Sequence, residues 1–371
     1  MKKILETRKK IDNGIGIVFD PIARSVSLFG ADQEPIKRAE FNEWVLGLPM
    51  RVVLDITSIC NFNCRYCSYG INSGMKGRVN ILKEIIFALI DELEAMKVFE
   101  LSLRGGEPTI HPDFNEIWQY AQKQNFLTTN VITNGFILDY EKAASMLSVN
   151  PTARIVASLD GLAETNDVYR DPCQYARVMS WLPDIIRDFP YQVVVLTCLY
   201  RDSRKRVVEF SRYLASLGLK FHDFSPLKRL GDASSSAVEN FLSLAETKAV
   251  QAELDEIKKD FPNFRPIITA SQIHEARYPA LFNFPVPLFN EIYRGTLARI
   301  NERGDIWVSA RKTLTDQFSP FGNISNQTLM EIWQSSCGNR KQQAERYYQD
   351  VPAALRWNGK VIQKELPMSK K

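Results

Sequence analysis

The chain has 371 residues, 45% hydrophobic and 24% charged, with a formal charge of +4, a balance that suits a globular protein with a sizeable core and argues against disorder. No lysine and arginine run is interleaved with aromatics, which speaks against a nucleic-acid surface, and no apolar run is long enough to span a bilayer. Nothing at the start resembles a signal peptide, so the six cysteines are expected in a reducing cytoplasm.

Along the chain, the patch Arg8-Lys9-Lys10 reads as a solvated end. Between 14 and 30, two short apolar runs flank Pro21 and predict a small β-hairpin that packs, shields an open side of the fold or grips a substrate. The apolar run 51–56 then leads into Cys60-Asn-Phe-Asn-Cys64-Arg-Tyr-Cys67, where three of the six cysteines share one loop. Three thiolates this close can take three irons of a cubane and leave a fourth iron open to a chelating molecule. Zinc is the rival reading, but a structural zinc wants a fourth ligand and none lies nearby; an odd trio cannot pair internally as disulfides.

After the cysteine loop, Leu82, Ile85, Ile86, Leu89, Leu93 and Met96 recur at helical spacing, and 99–103 follows as a strand. The alternation continues: a helix through Phe114, Ile117, Trp118 and Ala121, strands at 130–133, 154–159 and 192–199, a helix over 207–217 and a last candidate strand at 219–224. Such βα units predict an α/β fold with a parallel sheet, closed fully or partly into a barrel, whose chemistry sits at the C-terminal ends of the strands. Polar residues do cluster there: Arg104-Gly105-Gly106-Glu107-Pro108, Thr133-Asn134-Gly135, and Ser158 with Asp160. Adjacent glycines let backbone carbonyls approach an ammonium group, and Asp160 suits ribose hydroxyls; the plain alternatives are a turn and a helix cap.

Cys60, Cys64 and Cys67 in a C-x3-C-x2-C loop, with Tyr66 before the last cysteine and Gly105-Gly106-Glu107-Pro108 further on, resemble the radical S-adenosylmethionine (SAM) enzymes over about 51–224. The resemblance implies a partial (β/α)6 TIM-like barrel and one [4Fe-4S] cluster on those three cysteines. It also implies a 5′-deoxyadenosyl radical that abstracts hydrogen from a substrate, and a reducing donor such as flavodoxin or ferredoxin. By the same resemblance the Gly105 to Pro108 segment holds the methionyl amino group, Ser158 and Asp160 lie near the ribose, Tyr66 borders the adenine, Asn134 neighbours the cofactor and Arg170 pairs with its carboxylate. For Arg170 an ordinary ion pair remains the alternative.

The segments 298–308, 321–324 and 329–333 look like the SPASM/twitch extension of peptide-modifying and some sugar-modifying members, which carries cysteines for auxiliary clusters. Only Cys337 lies beyond Cys198 here, and one cysteine cannot hold a cluster. The expected organisation is therefore 1–48 hairpin and lead-in, 49–235 barrel, and 236–371 helical and SPASM-like extension. Without an auxiliary electron sink a redox-neutral outcome is favoured, and epimerisation of a peptide residue from L to D is one. A thiol would return the hydrogen: Cys337 first, Cys173 second, and Cys198 last because it lies in an apolar strand and reads as core. The alternatives are an epimerase or dehydrogenase of a sugar or aminoglycoside, a peptide crosslinking enzyme, and a cluster-bearing sensor without turnover. His111, His222 and His274 offer no rival metal site.

Overall fold

The computed structural model describes residues 8–12, 15–20, 25–29, 48–67, 79–227, 232, 241–242, 244–268, 297–308, 319–336 and 339–340. Strands β1 (Arg8–Asp12), β2 (Ile15–Asp20) and β3 (Ser25–Phe29) form an antiparallel sheet of their own, so the expected hairpin gains a third strand.

Alternating units follow: β4 (Arg51–Thr57), α1 (Lys83–Ala95), β5 (Glu100–Gly105), α2 (Phe114–Gln122), β6 (Thr128–Thr133), α3 (Tyr140–Ser148) and β7 (Ala153–Ser158). Three short helices, α4 (Ala163–Tyr169), α5 (Gln174–Met179) and α6 (Leu182–Asp188), then lead to β8 (Val193–Leu199), α7 (Arg204–Ser216), β9 (Phe221–Pro226), α8 (Leu244–Asp260) and β10 (Arg265–Ile268). The chain continues with β11 (Leu297–Ile300), β12 (Asp305–Val308), β13 (Gly322–Asn323) and α9 (Leu329–Ser335).

Among the described residues the second sheet runs β10-β9-β8-β7-β6-β5-β4-β11-β12-β13, parallel from β10 to β11 and antiparallel beyond. Six consecutive βα strands, β4 to β9, make the expected partial barrel. The strand expected to be last is flanked by β10, and β11 returns from far along the sequence to pair with β4.

Alternation within each strand separates a helix-facing side from an inner side. Val52, Leu54 and Ile56 of β4, Leu101 and Leu103 of β5, and Val193, Val195 and Leu199 of β8 join one hydrophobic core. On α1, Ile86, Leu89, Ile90 and Leu93 meet that core, which is why helical spacing was visible there. Asp55, Thr57, Arg104 and Cys198 consequently face inward.

Two polar devices attach the late segments. Asp55 Oδ1 lies 2.6 Å from Arg104 Nε, and its Oδ2 lies 2.8 Å from Arg299 Nη2, so a buried carboxylate ties β4, β5 and β11 together. The Glu92 carboxylate of α1 accepts the Leu329 and Met330 amides at 3.0 and 2.8 Å, capping α9, whose Thr328 and Glu331 form a capping box. Among the described residues no helix is long and apolar enough to cross a membrane.

Candidate active site

The cysteine loop leaves the end of β4 and is held by its neighbours at several backbone points. Cys67 N donates to Cys64 O at 3.0 Å, Arg65 N to Tyr169 O at 2.9 Å, and Asp232 N to Cys67 O at 2.9 Å. Phe62 is buried edge-on against Phe136 at 5.3 Å between ring centres. Cys60, Cys64 and Cys67 are partly buried and none is in a disulfide. Burial pushes both Cys60 and Cys64 up to about 12, so any metal taken here displaces their protons.

Among the described residues no three His, Cys, Asp or Glu side chains converge tightly enough for a single ion. A cubane takes each thiolate on a different iron and needs a wider triangle. The donor set of three soft thiols without a fourth partner fits that group.

The Gly105 to Pro108 segment packs against the root of the cysteine loop. A Cβ at Gly105 would lie 2.2 Å from Thr57 O, and one at Gly106 would lie 2.2 Å from Ile59 O. Both glycines therefore let the end of β5 press against the root of the cysteine loop. Gly106 N and Glu107 N seal this contact by donating to Thr57 O and Ile59 O, each at 2.7 Å.

Glu107 is 1% exposed, and its carboxylate accepts Thr109 N (3.1 Å), Thr109 Oγ1 (2.5 Å), Thr133 Oγ1 (2.7 Å) and Asn134 N (2.7 Å). Burial pushes its carboxyl above the usual range, against the downward pull of those four donors. The carboxylate is a hub for β5, β6 and the cysteine loop, since Asn134 Nδ2 reaches Asn61 Oδ1 at 2.8 Å. Three of its four donors meet Oε1 and one meets Oε2. Pro108 is buried and begins the short turn Pro108–Ile110.

Asp160 is likewise tied into the scaffold. Its Oδ1 accepts Arg170 Nη2 (3.0 Å) and Cys198 N (2.7 Å), while its Oδ2 faces Arg170 Nε (2.8 Å) and the Tyr66 hydroxyl. Three hydrogen bonds and the ion-pair contact of Arg170 Nε tie this buried carboxylate to its neighbours. Burial raises Asp160 while Arg170 opposes that shift. Arg170 faces Asp160 in an ion pair that is buried and not on the surface.

Tyr66 joins the cysteine loop to this pair. Its ring lies 6.5 Å from that of Tyr169 and 6.3 Å from that of Tyr200, with the Arg170 guanidinium 5.7 Å from the Tyr66 ring centre. Ser158 ends β7, and its carbonyl accepts Gln174 Nε2, which also bonds Asn134 O, each at 2.7 Å. Asn61, Gln174 and Tyr200 were not visible as site residues, since no motif distinguishes a lone Asn, Gln or Tyr.

Of the three other cysteines, Cys173 is exposed in a left-handed backbone conformation (φ 68°) at the start of α5. Cys198 is partly exposed on the inner face of β8 beside Asp160, not in the core; its apolar neighbours Val195 and Leu199 face the helices. Cys337 lies outside the described residues.

Residues 54–226 match the Radical SAM superfamily model. Those residues form a radical SAM domain. Radical SAM proteins use a [4Fe-4S] cluster and SAM, in keeping with the three-thiol loop. Among curated proteins, this chain is 33% identical to the mycofactocin maturase MftC of Mycobacterium ulcerans over 141 residues, 38% of this chain and 37% of that protein. It is 29% identical to the PqqA peptide cyclase of Rhodopseudomonas palustris over 119 residues, 32% of this chain and 31% of that one. The chain thus spans under half the length of these relatives. Streptococcus suis SuiB bound to its precursor peptide SuiA shares the fold at TM-score 0.64 and 15% identity, covering 80% of this chain and 67% of SuiB. The protein anSMEcpe with bound AdoMet and Cp18Cys peptide shares it at TM-score 0.62 and 17% identity, covering 82% and 84%.

Proposed function

We propose that this protein is a radical SAM enzyme that epimerises an L residue of a ribosomally made peptide to D. The single observation that carries the class is the three-thiol loop clasped to Gly105-Gly106 and Glu107 inside the radical SAM domain. The similarity to MftC, to a PqqA peptide cyclase and to SuiB supports a peptide substrate.

In this reading Cys60, Cys64 and Cys67 hold one cluster, and Asn61 and Asn134 brace the loop from the β6 side. When bound, the cluster and SAM supply abstraction of a hydrogen atom. A donor such as flavodoxin or ferredoxin would supply the electron this chemistry needs. Residues 298–308 and 321–333 serve as a SPASM-like binding scaffold without auxiliary cluster cysteines.

Cys198 is the thiol that returns hydrogen, because it alone of Cys173 and Cys198 opens on the inner face next to Asp160 and Tyr66. Its S–H bond breaks as the substrate Cα–H bond forms, and one electron from the same donor with one solvent proton restores the thiol. Turnover of a precursor peptide in deuterated water is expected to place one deuterium at Cα with the covalent skeleton unchanged. A crosslinked product without deuterium contradicts epimerisation.

A further inference from the structure

Tyr200 follows the last residue of β8 and is 1% exposed, yet its hydroxyl has no hydrogen-bond partner among the described residues. A buried hydroxyl left unmatched is costly, and native structures keep few of them unless water or a ligand completes the set. The rest of the side chain is fixed. Its ring lies 4.1 Å from Tyr169 and 6.3 Å from Tyr66, and its backbone is tied to Ser203 through the Tyr200 N to Ser203 Oγ bond at 3.2 Å.

The three tyrosines of this group divide sharply. The Tyr66 hydroxyl goes to Asp160, and the Tyr169 hydroxyl donates to Asp202 Oδ2 at 2.8 Å. Asp160, the nearby acceptor, is engaged by three hydrogen bonds and the Arg170 ion pair, and the Tyr200 hydroxyl is not among its donors. Burial, with Asp160, Tyr169 and Cys198 close by, holds the Tyr200 phenol well above its usual value, so it remains a donor at neutral pH. The one uncommitted donor of the group thus stands between the cysteine loop and the inner face of β8.

We infer that the Tyr200 hydroxyl completes its bonding on bound SAM, donating to an acceptor of the adenosyl half next to the Tyr66 ring. Asp160 supports this contact from behind by holding Tyr66 and Arg170. The inference rests on the radical SAM domain and is independent of whether the product is an epimer.

The test is Tyr200→Phe in the full chain with its cluster reconstituted. Thermal unfolding without SAM is expected at or slightly above the wild-type temperature, since the substitution removes an unmatched group. Calorimetric titration is expected to show SAM binding weakened about 3- to 10-fold, the loss of one neutral hydrogen bond, with iron content unchanged. A variant that unfolds earlier without SAM reveals another partner for the hydroxyl, and unchanged SAM affinity shows the contact is absent; either result overturns the inference. Wild-type protein that binds no SAM at all in the same titration would instead overturn the cofactor assignment.

Discussion

Glu107→Ala is expected to lower the unfolding free energy by about 3–5 kcal/mol, because four donors aimed at one buried carboxylate lose their acceptor together. The consequence is functional as well as structural. Asn134, fixed by Glu107 through its amide, is the residue that reaches Asn61 in the cysteine loop, so loosening one loosens the other. Glu107→Gln keeps the shape but turns an amide donor toward hydroxyl and amide donors, and an intermediate loss is expected. Denaturant unfolding, with hydrogen exchange read at Thr109 and Asn134, checks both variants. A loss under about 1 kcal/mol for the alanine variant would mean the hub holds little together.

His222 gives the chain a specific sensitivity to acid. It is fully buried between β9 and α7, with Nε2 2.8 Å from Thr197 Oγ1 and Nδ1 3.2 Å from Ser211 Oγ, and its ring centre lies 4.0 Å from that of Phe224. Burial lowers its pKa from 6.5 to about 3. The unfolded chain therefore takes up a proton first as pH falls, so stability is unaffected by this group above 6.5 and declines between 6.5 and about 3. The expected loss is about 2 kcal/mol between pH 8 and pH 5 from this group alone. Unfolding curves across that range for wild type and His222→Gln should show the variant with a shallower decline. Parallel slopes would show that His222 titrates normally in the fold.

The strands of the barrel could be read because each carries an apolar run on its helix-facing side; 51–56, 99–103 and 192–199 fall within two residues of β4, β5 and β8. Helices α4 to α6 could not, since part of what they bury is polar. Asn166 and Gln174 are fully buried and bond each other at 2.8 Å, so no apolar period marks them. The pairing of β11 with β4 depends on Arg299 meeting Asp55 across 244 residues of sequence, and no local pattern announces a buried charge that far from its partner.

At the site, the motif residues were recognisable by position, but their bonds within the scaffold were not. Glu107 and Asp160 have the chemistry of ligands, and in the fold they also tie the scaffold together, which no local pattern shows. Cys198 looked like core because its strand is apolar; only the alternation of faces, with Val195 and Leu199 packed against helices, turns its thiol inward. Tyr200 carried no signal, because an unmatched hydroxyl is a property of the folded surroundings.

The central proposal is that the loop of Cys60, Cys64 and Cys67 holds a cluster that makes this chain a radical SAM enzyme. Anaerobic reconstitution, an iron count, and assay of 5′-deoxyadenosine after reduction in the presence of SAM test it together. The account predicts about four irons per chain, 5′-deoxyadenosine from the wild type, and loss of both in Cys64→Ala. Zinc in place of iron, or a full complement of iron that never yields 5′-deoxyadenosine, would contradict it.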